Sequence, residues 1–97
     1  MPATTLNAEI SMYPFKDDFR PDIDAFVRGL RERDGIRVRV GTTSTVVVGD
    51  HDIVMSALTD LLRSNPTEGR AAFVAKLIPG FDAFEAMQAG SDPYLDT

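Results

Sequence analysis

The sequence predicts an α+β sandwich, and two patterns within residues 1–80 support this prediction. Four short segments alternate apolar and polar residues, which is typical of half-buried strands. Two longer segments repeat apolar residues at helical spacing. The order of these segments is βαββαβ. In a chain of this size that order favours the ferredoxin-like arrangement, a four-stranded antiparallel sheet with two helices on one face.

The first strand is predicted over residues 5–13, whose two faces carry Leu6, Ala8, Ile10 and Met12 on one side and Asn7, Glu9, Ser11 and Tyr13 on the other. Pro14 is expected to end this strand, because proline donates no hydrogen bond to a sheet. Pro21 suits the first turn of a helix, where its missing N–H costs nothing. The apolar residues of that helix are Ile23, Phe26, Val27 and Leu30. Asp34-Gly35 is expected to end it, since glycine readily adopts the conformation that closes a helix.

Two neighbouring strands are predicted over residues 36–41 and about 43–49, with a turn at Gly41-Thr42. In the second strand the alternating sets are Ile36, Val38 and Val40 against Arg37 and Arg39. In the third strand we place Ser44, Val46 and Val48 toward the helices and Thr43, Thr45 and Val47 on the opposite face. A shift of one residue would exchange these two sets.

Asp50 is a good N-cap for a second helix. The apolar residues of this helix are Val54, Met55, Leu58, Leu61 and Leu62. Asn65-Pro66 is expected to end it, because the residue before proline avoids helical geometry. The fourth strand is predicted over residues 70–78. The chain then divides into a ferredoxin-like domain at residues 1–80 and an extension at 81–97, which holds a short helix from Phe81 to Gln88 and a loose tail.

The sheet face away from the helices is predicted to be mixed in character: Glu9, Ser11, Tyr13, Arg37, Arg39, Thr43, Thr45, Val47, Val74, Lys76 and Ile78. Glu9 and Lys76 are placed to form a cross-strand ion pair. Apolar side chains among charges indicate burial against another subunit. We therefore expect a homodimer or homotetramer formed through this open face.

Composition excludes several classes of function. The net charge of −5 disfavours nucleic acid, whose binding needs Lys and Arg against phosphates. The chain lacks cysteine, which removes disulfides, thiolate metal sites and cysteine nucleophiles. No apolar run approaches the roughly 20 residues of a membrane span, and no signal peptide is evident. We expect a cytoplasmic protein without membrane partners.

Catalytic and metal-binding patterns are weak. His51 is the only histidine, and histidine commonly carries proton transfer at neutral pH. Asp50-His51-Asp52 has metal-ligand residue types, but at the start of a helix capping explains it better. We therefore predict no metal, no cofactor and no enzymatic activity. Ser11, Tyr13 and the hydroxyls of Thr43, Ser44 and Thr45 are binding candidates, although each also suits an ordinary solvated strand.

Three strings in this order resemble the thiamin/hydroxymethylpyrimidine-binding family, often called YkoF-like. They are Ile10-Ser11-Met12-Tyr13-Pro14, Ser44-Thr45-Val46-Val47-Val48-Gly49-Asp50-His51-Asp52, and Phe73-Val74-Ala75-Lys76-Leu77-Ile78-Pro79-Gly80. The resemblance covers roughly residues 8–80, and the ordered set is more specific than any one string. It implies a small ferredoxin-like domain that binds thiamin or its hydroxymethylpyrimidine moiety without turnover and associates as a dimer or tetramer.

A pyrimidine of this kind makes demands that residue types can meet. Its exocyclic amino group donates hydrogen bonds, its ring nitrogens accept them, and its flat face packs on aromatic or apolar groups. The candidate hydroxyls are those of Ser11, Thr43, Ser44 and Thr45, the candidate acceptors are Glu9, Asp50 and Asp52, and the candidate planes are Tyr13 and Phe26. The sequence leaves open which face of the sheet holds the pocket.

Two other functions remain open at this point. The first is a cofactor-free or heme-handling dimeric enzyme that uses a cavity on the sheet. It would want a histidine, asparagine or tryptophan in that cavity, and the chain has no tryptophan. The second is a ligand-free regulatory module whose open sheet only oligomerises. A filled interface without a pocket would favour it.

Overall fold

The computed structural model describes residues 4–64 and 70–88. The elements in chain order are β1 (Thr5–Pro14), α1 (Arg20–Arg31), β2 (Ile36–Val40), β3 (Thr45–Asp50), α2 (His51–Ser64), β4 (Ala71–Pro79) and α3 (Ala83–Gln88). The predicted βαββαβ order is confirmed, with a short helix after it. Within these residues, no helix combines the length and the apolar character that a membrane crossing requires.

The four strands form one antiparallel sheet in the order β2-β3-β1-β4. This confirms the ferredoxin-like arrangement. Both long helices contribute to a single core on one face of the sheet, which contains Leu6, Ala8, Ile10, Phe26, Leu30, Val47, Val54, Ala57, Leu58 and Leu61. The apolar faces predicted for β1 and α1 supply half of this core, because their side chains recur at the period of their own element.

The predicted facing of β3 is wrong. Val47 pairs with Ala8, and Thr45 pairs with Ile10. Residues directly opposite each other in a sheet share a face, so Thr45 and Val47 lie on the helix-covered side and Val46 and Val48 lie on the open side. Three consecutive valines in β3, Val46 to Val48, give no polar–apolar alternation, so the sequence does not show which face is buried.

The helices begin and end close to the predicted residues. The Asp52 N–H donates to Asp50 Oδ2 at 3.1 Å, which confirms the cap of α2. Helix α1 ends at Arg31, before the predicted Asp34-Gly35, and Gly35 then turns the chain with φ +84°. Leu62 is half exposed rather than part of the core. The predicted end of α2 at Asn65-Pro66 and the predicted tail from Gly90 lie outside the described residues.

Helix α3 lies on the open face of the sheet and covers part of it. The Ala83 N–H donates to Asn7 Oδ1 at 3.1 Å, although Asn7 belongs to the open side of β1. Arg37 pairs with the Asp82 carboxylate, and its guanidinium lies 5.1 Å from the centroid of the Phe84 ring. Asn7 and Val48 are consequently fully buried. The open face therefore has one half under α3 and one uncovered half.

Candidate ligand-binding site

A cavity of about 470 Å³ lies on the helix-covered side, at the end of the sheet where β1 finishes and β3 begins. Its lining comes from β1, from the start of α1 and from the β2–β3 connection: Ile10, Met12, Tyr13, Pro14, Phe19, Ile23, Phe26, Val40, Gly41, Thr42, Thr43, Ser44 and Thr45. The volume falls within the roughly 300–1,000 Å³ of small-molecule sites. The sequence did not indicate which face of the sheet holds the pocket, and the structure places it on the helix-covered face.

The cavity forms because β1 and β3 separate at this end of the sheet. Their pairing stops at Ile10 and Thr45, whereas β1 continues to pair with β4 as far as Pro14. The chain between β2 and β3 turns back through a hydrogen bond from the Gly41 N–H to the Ser44 carbonyl at 2.7 Å. We call residues 41–44 the hairpin loop. It forms one wall, and the end of β1 forms another.

Hydroxyl groups are concentrated on the hairpin-loop side of the cavity. Thr42, Thr43 and Ser44 belong to the loop itself, and Thr45 follows as the first residue of β3. Thr45 is only 6% exposed although its side chain is polar. A hydroxyl at this position can donate a hydrogen bond to a ligand in the cavity or accept one from it.

Ser11 stabilises the hairpin loop from outside the cavity. Its hydroxyl donates to the Thr43 carbonyl at 3.1 Å, and its side chain is not among those that line the pocket. Ser11 follows Ile10, so it points to the opposite face of β1. The bond therefore joins β1 to the loop just beyond the last β1–β3 pair.

Aromatic rings form the rest of the wall. Phe26 is 2% exposed and packs against Phe73, with ring centroids 5.3 Å apart and planes inclined at 46°. Tyr13 and Phe19 lie at the mouth, where about half of each side chain reaches solvent. The cavity thus offers one buried ring and two accessible rings to a flat ligand.

The structure brings together five of the eight predicted site residues. They are Tyr13, Phe26, Thr43, Ser44 and Thr45, all of which line the cavity. Glu9 lies on the open face, where its Oε1 is 3.6 Å from Lys76 Nζ, so the predicted cross-strand ion pair is confirmed. Asp52 lies at the start of α2, at the end of the sheet opposite the cavity, with a highly exposed side chain.

Sequence reasoning missed several lining residues, among them Met12, Phe19, Ile23 and Val40. Met12, Ile23 and Val40 are predicted on the apolar sides of their elements, and Phe19 has no predicted role. The sequence does offer a signal for Ile23. It is the first apolar residue of the α1 stripe, and the end of a helix can extend beyond the sheet it packs on and so border a cavity. Phe19 offers no such signal, because only the tertiary fold brings the residue before α1 to the pocket mouth.

None of the described lining residues is an acid, a histidine, a lysine or an arginine. The nearby ion pair joins Lys16 Nζ to Asp22 Oδ2 at 2.8 Å, and Asp22 is buried in the first turn of α1. Oδ2 accepts no well-aligned hydrogen bond among the described residues, so this contact is electrostatic. Polar recognition in the cavity therefore depends on hydroxyls and backbone groups.

Solved structures share this fold. A protein of Streptococcus pneumoniae has a TM-score of 0.74 at 18% identity, over 87% of this chain and 98% of that chain. A domain of unknown function, DUF77, from Bacillus cereus has a TM-score of 0.66 at 14% identity, over 78% and 76%. A "putative thiamine biosynthesis/salvage protein" from Thermotoga maritima has a TM-score of 0.62 at 21% identity, over 95% and 92%. At these identities the likeness establishes the fold.

No protein-family model matches the sequence, and a search of curated proteins finds no match.

Proposed function

We propose that this protein binds, without chemical turnover, a small aromatic ring compound of the thiamin type, either thiamin or its hydroxymethylpyrimidine moiety. The observation that carries the proposal is the cavity itself, where the buried residue Thr45 and the buried ring of Phe26 belong to the same lining. Two further facts support the ligand class. The sequence strings resemble the thiamin-binding family, and one neighbour of the same fold is named for thiamine biosynthesis or salvage.

The lining residues divide the recognition of a pyrimidine between them. Phe26, Phe19 and Tyr13 supply flat apolar surface for the ring. Threonine and serine hydroxyls can both donate to ring nitrogens and accept from an amino group. Thr45 is the strongest candidate for a direct contact, because its position at the start of β3 is fixed by pairing with Ile10. Glu9 and Asp52, which were predicted acceptors, lie away from the cavity.

A binding role accounts for the lining better than catalysis does. Proton transfer in enzymes is usually carried by histidine, carboxylate or lysine side chains. The lining within the described residues has none of these three types, and its one phenol, that of Tyr13, lies at the mouth. His51 lies at the start of α2 beside Asp52. We therefore propose a non-enzymatic protein that holds its ligand.

We further propose that the uncovered half of the open face contacts a second copy of the chain. Val74 is 56% exposed there, directly opposite Ser11 in the β1–β4 ladder and next to the Glu9–Lys76 pair on the same face. A Val74→Lys substitution is expected to lower the mass measured by sedimentation equilibrium toward that of a monomer. A wild-type protein that sediments as a monomer at micromolar concentration contradicts this proposal.

Isothermal titration calorimetry tests the ligand. Purified protein is titrated with 4-amino-5-hydroxymethyl-2-methylpyrimidine and, separately, with thiamin. We expect saturable binding of at least one of them, and loss of that heat in a Phe26→Trp variant whose larger ring fills the cavity. The matched control is Phe84→Trp, which changes an aromatic residue of α3 on the opposite face of the sheet. Failure of both compounds to bind at high micromolar concentration overturns the proposal.

A further inference from the structure

We infer that the cavity accepts its ring ligand only in the unphosphorylated form, and this inference rests on the proposed function. The cavity is lined by apolar, aromatic and hydroxyl side chains. This lining is suited to an alcohol and unsuited to its phosphate ester.

A phosphate group requires positive partners. Proteins bind it with arginine or lysine side chains, or with a cluster of backbone N–H groups. An anion that enters an apolar cavity without such partners loses its hydration and gains little in return. One N–H of the hairpin loop, that of Gly41, is already donated to the Ser44 carbonyl and is not available to an anion.

The charges around the mouth do not favour an anion either. The cations on the adjoining segments are Lys16, Arg20, Arg39 and Arg70, and the acids there are Asp17, Asp18, Asp22 and Asp24. None of these eight residues lines the cavity. Cations and acids on these segments are equal in number, and the whole chain carries a net charge of −5. The resulting field repels a phosphate ester on approach.

The N-terminus of α1 is the remaining positive feature, because the dipole of a helix favours negative charge at that end. Asp22 already occupies its first turn and is buried there, in contact with Lys16. This carboxylate places a negative charge in the first turn, although no side chain caps the helix by a hydrogen bond. A phosphate placed at this helix end would meet a buried negative charge.

A positively charged ring is not excluded by the same reasoning. Aromatic faces attract cations, and the rings of Tyr13, Phe19 and Phe26 all line the cavity. The cavity is therefore expected to reject a phosphate group but to accept the positively charged thiazolium ring of thiamin. In a reaction sequence, a protein with this selectivity would hold the alcohol that a phosphotransferase consumes and would release the ester that it forms.

Calorimetric titration with matched pairs tests the inference. The pairs are the hydroxymethylpyrimidine and its monophosphate, and thiamin and thiamin monophosphate. We expect each ester to bind at least about tenfold more weakly than its alcohol. A Thr42→Lys variant adds a cation at the exposed rim, and it is expected to reduce this preference at least about threefold relative to the uncharged control Thr42→Gln.

The outcomes separate the two proposals. An ester that binds as tightly as its alcohol overturns the inference of selectivity and leaves the binding function standing. If neither alcohol nor ester binds, the proposed function fails and the selectivity fails with it. A preference for the alcohol that is the same in Thr42→Lys and Thr42→Gln contradicts the electrostatic explanation.

Discussion

The Ser11 hydroxyl donates to the Thr43 carbonyl across the point where β1 and β3 separate. The two residues lie 32 positions apart in the sequence. Their hydrogen bond ties the hairpin loop to the end of β1, although no backbone pair joins the two segments there. Ser11 thus acts on the cavity through Thr43, and it holds one wall in position without touching the space inside.

Removal of this hydroxyl is expected to loosen the loop. A Ser11→Ala variant should bind the pyrimidine about two- to fivefold more weakly, which corresponds to roughly 0.5–1 kcal/mol for one partly exposed hydrogen bond. Ser11→Thr keeps the hydroxyl and serves as the matched control. Calorimetry measures both. Wild-type affinity in Ser11→Ala would show that the loop holds its position without this bond.

Thr45 is expected to make a direct contact. Thr45→Val keeps the shape of the side chain and removes the hydroxyl, so affinity should fall about two- to tenfold while stability without ligand changes little. The control is Thr5→Val, a strand threonine at the other end of β1. Titration calorimetry gives the affinity, and urea unfolding gives the stability. Equal affinities in the two variants would remove Thr45 from the proposed contacts.

Gly49 is required by backbone packing. A Cβ at this position would lie 2.5 Å from the Gly35 carbonyl oxygen, and that oxygen belongs to the main chain and cannot rotate away. Gly49→Ala is therefore expected to lower the free energy of unfolding by about 1–3 kcal/mol. Gly29→Ala is the matched control, because its Cβ would meet only the end of the Leu61 side chain. Urea denaturation should show the smaller loss for Gly29→Ala, and the reverse order would refute the argument.

Docking of α3 is expected to depend on pH through Asp82. Burial raises the pKa of this carboxyl, but hydrogen bonds from the Glu85 N–H and from Arg37 outweigh it and lower the pKa below 3.8. A lowered pKa means that the charged form stabilises the folded state above the unfolded pKa, and that this contribution is lost as pH falls through the folded pKa. Asp82→Asn should thus lower the free energy of unfolding by about 0.2–1 kcal/mol at pH 7. Well below pH 3.8 it should lower it by almost nothing.

Urea unfolding of wild type and Asp82→Asn across this pH range measures the difference directly. Other carboxyls titrate in both proteins, so only the difference between them reports on Asp82. Arg37→Met removes the partner and also the contact with the Phe84 ring, so it should lose at least as much stability at pH 7. A difference that stays constant down to the lowest pH would show that the Asp82 charge does not stabilise α3.

The strands and helices were predictable because each carries a strong local pattern. β1 alternates cleanly through Leu6, Ala8 and Ile10, and the stripe of α1 through Phe26 and Leu30 has an unambiguous helical period. The N-cap at Asp50 and the positive φ at Gly35 follow from side-chain and backbone chemistry that acts within a few residues. Local information was sufficient for these features.

The site was less predictable because it depends on pairing between distant segments. The consecutive valines of β3 place apolar side chains on both faces of the strand. Only the pairing of Thr45 with Ile10 shows that Thr45 faces the helices. The loss of β1–β3 pairing beyond these residues, which opens the cavity, leaves no mark in either strand alone. Ser11 was therefore predicted as a direct ligand contact, whereas its hydroxyl is bonded to the Thr43 carbonyl.

The two sides of the cavity differ in how freely they can change. Ile10 and Phe26 belong to both the lining and the hydrophobic core, so a substitution that reshapes the cavity there also costs folding stability. Residues 41–43 of the hairpin loop are exposed and lie outside that core. New ligand preferences, whether evolved or engineered, should accumulate in the loop while the sheet and helix wall stays unaltered.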